Sequence, residues 1–396
     1  MPPSLPESGA RPLFALAAGE DSGDLLGADL IKALRARYPD ARFGGIGGPR
    51  MRAVGFEAWH DVAELSVMGL AEVLRHLPRL LRLRAALAHR LVALRPDAFI
   101  GIDAPDFNLG LEARLKRAGI PTVHYVSPAV WAWREGRAAR IARSTDCVLC
   151  LFPMEPAIYA RHGVSARFVG HPLADRFPLV PDRDAARHDL ALAPDAPVLA
   201  VLPGSRGSEV HRLGRIFVQA ATRVAAAIPR LQIVVPVANP CCRAALEGVS
   251  LPPGTRLIDG HAQRAMIAAD VVLLASGTAA LEGMLAKRPL VVGYRIAPLT
   301  YALVKGLGML KTGLYSLPNI LAGAALVPER MQRDCTPDRL ADDVLAWFHD
   351  AARCAALTRE FERLHLALHA GGGAAAAAGR AIGQVLATHE GPSIRP

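Results

Sequence analysis

Short apolar runs recur along the chain, each closed by Gly, Pro, Ser or Asp and followed by a stretch whose apolar positions return every three or four residues. Runs of four to seven without polar alternation are the signature of strands buried on both faces, and the stretches between them carry the helical period. In the first half this pattern predicts strands at Pro12–Ala18, Arg42–Ile46, Asp97–Ile102, Pro121–Val126, Cys147–Phe152 and Ala166–Val169. A segment rich in Pro, Asp and Arg follows at Pro172–Pro197 and reads as a linker. The pattern then restarts at Pro197–Leu202, Leu231–Val237, Thr255–Ile258, Asp270–Ala275 and Pro289–Tyr294. Strands alternating with helices form βαβ units, so the expected fold class is α/β: two parallel-sheet, Rossmann-like domains facing a cleft. The expected division is 1–175, a linker at 176–196, a second domain at 197–335, and alanine-rich helices at 336–396 packing back across the junction.

The 396 residues exceed one ordinary core, and 52% hydrophobic with 21% charged residues describes a globular protein. No apolar run reaches the length of a membrane span, and MPPSLPESGARP lacks the layout of a signal peptide, so a cytoplasmic location is expected. Of the six cysteines, Cys147 and Cys150 have zinc-like spacing, but they lie inside CVLCLF without a second pair and read as buried thiols. No metal site and no cofactor are expected.

The net charge of +10 calls for an anionic partner. Between Gly69 and Arg95 stand Arg75, Arg79, Arg82, Arg84, Arg90 and Arg95 against the single acid Glu72, interleaved with Leu70, Val73, Leu74, Leu77, Leu80, Leu81, Leu87 and Leu91 and preceded by Val67 and Met68. This is a basic amphipathic helix, or two separated by Pro78. Such a helix lies on an anionic membrane, or it packs on a core with a solvated arginine face. Nucleic acid is disfavoured, because aromatics make up only 5% of the chain and none interleaves with the basic run.

Candidate chemistry clusters where the predicted strands end. AFIGIDAPDFN at 98–108 delivers Asp103 and Asp106 beyond a buried strand, where ligands of open α/β sheets sit; either acid is a catalyst or a cap for the helix expected near Leu109. Gly19-Glu20-Asp21-Ser22-Gly23-Asp24 leads into a helix near Leu25 and offers backbone N–H groups to an anion, with Glu20 and Asp21 placed for sugar hydroxyls. Gly44-Gly45-Ile46-Gly47-Gly48 allows a close ligand approach or a tight turn. In the second half, Pro203-Gly204-Ser205-Arg206 precedes a helix near Glu209, and the guanidinium of Arg206 suits phosphate oxygens. Ser276-Gly277-Thr278 opens another helix, with Glu282 one turn on to accept from ribose hydroxyls. Asn319 in SLPN is a donor-side candidate or a turn residue. His124 and His171 stay outside the catalytic set, and Trp131 and Trp133 are acyl-chain contacts or loop anchors. No P-loop pattern is present, which argues against a nucleotide triphosphatase.

The motifs AGEDSGD at 18–24, GGIGGPRM at 44–51, GIDAPDFN at 101–108, YVSPAVWAW at 125–133, VGHPLAD at 169–175, LPGSR at 202–206 and SGTAALE at 276–282 together resemble the lipid-A-disaccharide synthase family. The resemblance implies a GT-B architecture and an inverting, metal-independent hexosyltransferase. It implies transfer of 2,3-diacylglucosamine from UDP-2,3-diacylglucosamine to 2,3-diacylglucosamine 1-phosphate, giving the β-1,6-linked disaccharide 1-phosphate and UDP. It further implies attachment to the cytoplasmic face of the inner membrane, an acceptor-binding first domain with a membrane segment at 66–95, and a donor-binding second domain. On that basis Asp103 is the base and Glu20 orients a hydroxyl. Gly204, Ser205, Arg206, Ser276, Gly277, Thr278, Glu282 and Asn319 hold UDP, and Val67, Met68, Leu70, Val73, Leu74 and Leu77 meet acyl chains or membrane. The competing readings are a UDP-sugar 2-epimerase and a non-catalytic membrane-surface nucleotide-binding module; a homodimer is left open.

Overall fold

The computed structural model describes residues 11–65, 70–128, 138–296 and 313–389, without the side chains of 70–75 and 139. The chain divides into two compact units: residues 1–172 with 368–396, and residues 173–367.

In the first unit seven parallel strands form one sheet: β1 (Leu13–Ala18), β2 (Arg42–Gly47), β3 (Glu57–Asp61), β4 (Ala98–Ile102), β5 (Thr122–Tyr125), β6 (Cys147–Cys150) and β7 (Ala166–Phe168). Their order is β3-β2-β1-β4-β5-β6-β7. β1 and β4 are buried along nearly their whole length because helices cover both faces, which explains their unbroken apolar runs. One face packs against Leu30, Ile31 and Leu34 of the helix Asp21–Arg37. The other packs against Leu83, Leu87 and Leu91 of the helix Leu70–Leu94 and Leu111 and Leu115 of the helix Pro105–Arg117. Cys147 and Cys150 are buried free thiols of β6.

The second unit carries six parallel strands in the order β10-β9-β8-β11-β12-β13: β8 (Val198–Leu202), β9 (Gln232–Val237), β10 (Arg256–Asp259), β11 (Val271–Ala275), β12 (Leu290–Tyr294) and β13 (Glu329–Met331). β3 and β13 escape the sequence reading. Both are edge strands with mixed polar composition, EAWHD and ERM, because an edge facing water needs no continuous apolar run. The stretch read as a linker contains two helices, Pro172–Arg176 and Arg183–Asp189.

Each sheet reverses its winding once, between β1 and β4 in the first unit and between β8 and β11 in the second. At such a point the connections leave in opposite directions and open a crevice beyond the carboxyl ends of the two strands.

Candidate active site

At the crevice of the first unit, Gly19 and Glu20 follow β1 and Asp103 follows β4. Asp103 and Ala104 both adopt left-handed backbone, with φ of 52° and 42°. Two adjacent non-glycine residues there store on the order of 1–2 kcal/mol each. The strain is held by Asn108, which is buried and whose amide donates to the carbonyls of Ala17 (3.1 Å), Ile102 (3.4 Å) and Asp103 (2.8 Å). The Asp103 N–H donates to Tyr125 O at 2.8 Å, continuing the ladder to β5. Gly19 faces this turn: a Cβ there would lie 2.3 Å from that of Ala104, so no other residue fits without a shift.

Burial, and then the neighbouring Glu20 carboxylate, push the Asp103 carboxyl above its ordinary range. The helix starts at Pro105 with Ala104 as its N-cap and no side-chain cap bond, so neither acid acts as the cap. Asp106 is exposed in the first turn, where its charge complements the helix dipole. This helix, like those after β1 and β8, begins two to four residues before the predicted start, because Pro, Gly and Ser are also good first-turn residues. Asp24 is structural: buried, it accepts from the N–H groups of Gly48 (2.7 Å), Arg50 (2.9 Å) and Met51 (3.1 Å) and so caps the helix Pro49–Ala53. The GGIGG run is a packing feature, since a Cβ at Gly45 would sit 2.0 Å from Leu16 O and one at Gly44 2.6 Å from the Trp59 ring.

At the crevice of the second unit the two predicted turns leave adjacent strands, because β8 pairs in parallel with β11. Gly204, with φ of 140°, sits against Glu209, whose carboxylate accepts from the Ser205 N–H at 3.2 Å and stands 3.6 Å from Arg206. The carboxylate therefore occupies the turn that sequence assigns to an anion, a role for Glu209 that no motif announces. Ser205 and Arg206 are exposed. Gly277 has φ of 148° and open space where a Cβ would point; Thr278 beside it is exposed and opens the helix Thr278–Leu285. Glu282 is half-buried, and its carboxylate has no hydrogen-bond or ion-pair partner among the described residues; burial alone pushes its carboxyl upward. An unpaired, desolvated acceptor beside free helix N–H groups fits a sugar diol next to a phosphate.

Asn319 differs from these. Its amide donates to Val327 O (2.9 Å) and Glu329 Oε1 (2.8 Å), and its oxygen accepts from the N–H groups of Leu326 (2.8 Å) and Val327 (3.0 Å). All four positions are filled and the residue is buried, so in this arrangement Asn319 shapes its loop and offers no free group to UDP.

Of the amphipathic segment, Val67 and Met68 lie outside the described residues, as do Trp131 and Trp133, and for Leu70, Val73 and Leu74 only the helical backbone is described. One helix runs through Pro78. Leu77 and Leu81 are 42% and 45% exposed, whereas Leu87 and Leu91 are core residues, so core packing accounts for the second half of the helix and leaves the leucines before it on the surface. The reason is the contact with Leu111 and Leu115, which claims the second half of the helix. His171 packs on Phe152, with ring centroids 5.3 Å apart. His124 lies buried on β5 with its Nδ1 2.7 Å from Glu112 Oε1.

A lipid-A-disaccharide synthase from Xanthomonas campestris pv. campestris (strain 8004) is 57% identical over 98% of this chain and 90% of its own length. The chain belongs to the lipid-A-disaccharide synthase family. The family description "Lipid-A-disaccharide synthetase" matches residues 14–370, and the synthase from Xylella fastidiosa (strain M12) is 53% identical over 95% of this chain and 98% of that protein. The fold neighbours of this family member are GT-B proteins. A putative UDP-N-acetylglucosamine 2-epimerase from Listeria monocytogenes superposes with a TM-score of 0.64 at 11% identity, covering 97% of this chain and 98% of that one. The calicheamicin glycosyltransferase CalG4 gives 0.59 at 17%, covering 98% and 100%. At such identities the likeness establishes the GT-B fold and nothing of the reaction.

Proposed function

We propose that this member of the family transfers 2,3-diacylglucosamine from UDP-2,3-diacylglucosamine to the 6-hydroxyl of 2,3-diacylglucosamine 1-phosphate, with inversion, at the membrane surface. The observation that carries this is the placement of Asp103: a strained, partly buried acid at the winding reversal of its sheet, with its basicity raised by burial and Glu20. Asp103 takes the acceptor hydroxyl proton as the oxygen bonds to the anomeric carbon. The bond from that carbon to the diphosphate oxygen breaks, and its electron pair leaves with UDP. Arg206, Ser276, Gly277 and Thr278 stabilise the departing diphosphate, with Gly204 and Ser205 held by Glu209 in the turn that presents Arg206, and Glu282 accepts from the ribose. Glu20, bonded by Ser22 Oγ at 2.6 Å, orients a sugar hydroxyl. The arginines and exposed leucines of Leu70–Leu94 support contact with an anionic inner-membrane face, and no helix among the described residues is long and apolar enough to cross a membrane.

Mass spectrometry of products from the two substrates, with and without EDTA, tests the proposal. The expected outcome is disaccharide 1-phosphate and UDP under both conditions, and loss of at least about a thousandfold in turnover for Asp103→Ala with UDP affinity unchanged, in line with loss of a general base. Epimerised UDP-sugar, or wild-type turnover in the variant, would overturn it.

A further inference from the structure

Behind Asp103 lies a polar pair that the reaction scheme leaves unused. Glu112, on the helix Pro105–Arg117, and His124, on β5, are both fully buried and joined at 2.7 Å. Gly101 on β4 makes the room: it is the cross-strand partner of His124, and a Cβ on it would stand 2.2 Å from Glu112 Oε1 and 2.8 Å from Asn108 Cβ. The pair thus sits under the end of the strand that delivers Asp103, beside the asparagine that holds the Asp103 carbonyl. Glu112 Oε2 and His124 Nε2 are buried without hydrogen-bond partners. Two unsatisfied polar atoms on one buried pair are an expensive way to fill a core, where an apolar pair of equal volume would serve stability as well or better.

We propose that the Glu112–His124 pair is a positioning device for Asp103, fixing from beneath Gly101 the strand end that carries the base. It rests on the reading of Asp103 as that base. Because its Nδ1 bonds a carboxylate, His124 donates there, and Glu112 anchors the ring. The imidazole acts to lower the Asp103 pKa, against burial and Glu20, which raise it. The charged groups around this cluster are Glu20 at the end of β1, Glu112 and the exposed Asp106 on the helix, Arg84, whose guanidinium donates to Asp106 O, and Asp146, which acts on Glu112. With His124 replaced, Asp103 keeps Glu20 beside it and loses the imidazole that opposes it, so it protonates at higher pH.

The pH profile of kcat/KM decides the matter, measured on full-length Glu112→Gln, His124→Gln and the double variant, with Asp103→Asn in parallel. The expected result is an acidic limb displaced upward by about one pH unit in all three, a tenfold loss on the acid side, with UDP affinity unchanged. The double variant should match the singles, because the pair acts as one unit. An acidic limb at the wild-type position in variants that melt cooperatively would overturn the proposal. If the single variants fail to fold, the double variant, which keeps an amide pair in place of the carboxyl–imidazole one, carries the same test. Should Asp103→Asn itself turn over at the wild-type rate, the assignment of the base falls, which is a separate outcome.

Discussion

Asp103 and Glu282 are both carboxyls that burial makes reluctant to ionise, and their surroundings give them different work. Asp103 has Glu20 as a further opposing charge and a fixed backbone, which suit the base proposed for it. Glu282 has neither, only an unpaired acceptor set into a helix flank. Its folded-state pKa lies above the unfolded value near 4.5, so its contribution to stability is fully present below that pH and is lost as pH rises through the folded value. Glu282→Gln removes that loss. At pH 7 the variant should melt at a higher temperature than the parent, and the gain should shrink as pH falls below the ordinary glutamate range. The same change should weaken UDP binding about tenfold by calorimetry, since a neutral amide is a poorer acceptor for a diol. Unaltered UDP affinity would remove Glu282 from the ribose. These acids were legible because each follows a buried strand. Glu112 was not: within an amphipathic helix it reads as a solvent-facing charge, and only the missing side chain of Gly101 buries it.

At the level of elements, the helix Leu70–Leu94 divides its labour along its length. From Leu83 onward a spacing of four, Leu83, Leu87 and Leu91, is taken up by the core, while Leu77 and Leu81 one turn apart stay exposed near Arg79 and Arg82. Sequence periodicity cannot make that division, because both halves carry the same heptad-like pattern; what separates them is whether another helix lies opposite. Leu77→Ser with Leu81→Ser should therefore lower binding to vesicles containing anionic lipid several-fold while leaving the melting temperature within about 1–2 °C, as surface changes do. Leu87→Ala should do the reverse, destabilising the fold by about 2–5 kcal/mol with vesicle binding of the folded protein intact. Equal vesicle binding by the serine variant would assign the exposed leucines no role at the membrane. The same logic explains the missed strands: β3 and β13 lie at sheet edges and lack the two-sided burial that makes central strands readable.

Over the whole molecule, the alternation of strands and helices announced two parallel sheets, but not their winding. The order of strands, and hence the reversals beside β1 and β8, is a property of which crossover packs on which face, and no local pattern encodes it. Nor does sequence reveal that the first unit is discontinuous. The chain leaves it at Pro172 and re-enters at Leu368, whose carbonyl accepts from the His171 N–H at 2.8 Å. The last helix, Ala374–His389, then lies on the helix Asp21–Arg37, placing Ala377, Ala378, Ala381, Ile382 and Val385 in the same core as Leu30, Ile31 and Leu34. Burying Ile382, Val385 and the three alanines contributes on the order of 5 kcal/mol, comparable with the whole stability of a typical domain. A chain ending at Ala367 should consequently lose the melting transition of the first unit while the second unit, 173–367, keeps its own. Calorimetry of the truncated chain, with limited proteolysis to show which unit is cut, makes the comparison. A peptide of residues 368–389 added in trans should restore protection of residues 11–172, as docking of a missing core element requires. Retention of both transitions after truncation would mean that the first unit's core closes without its last helix.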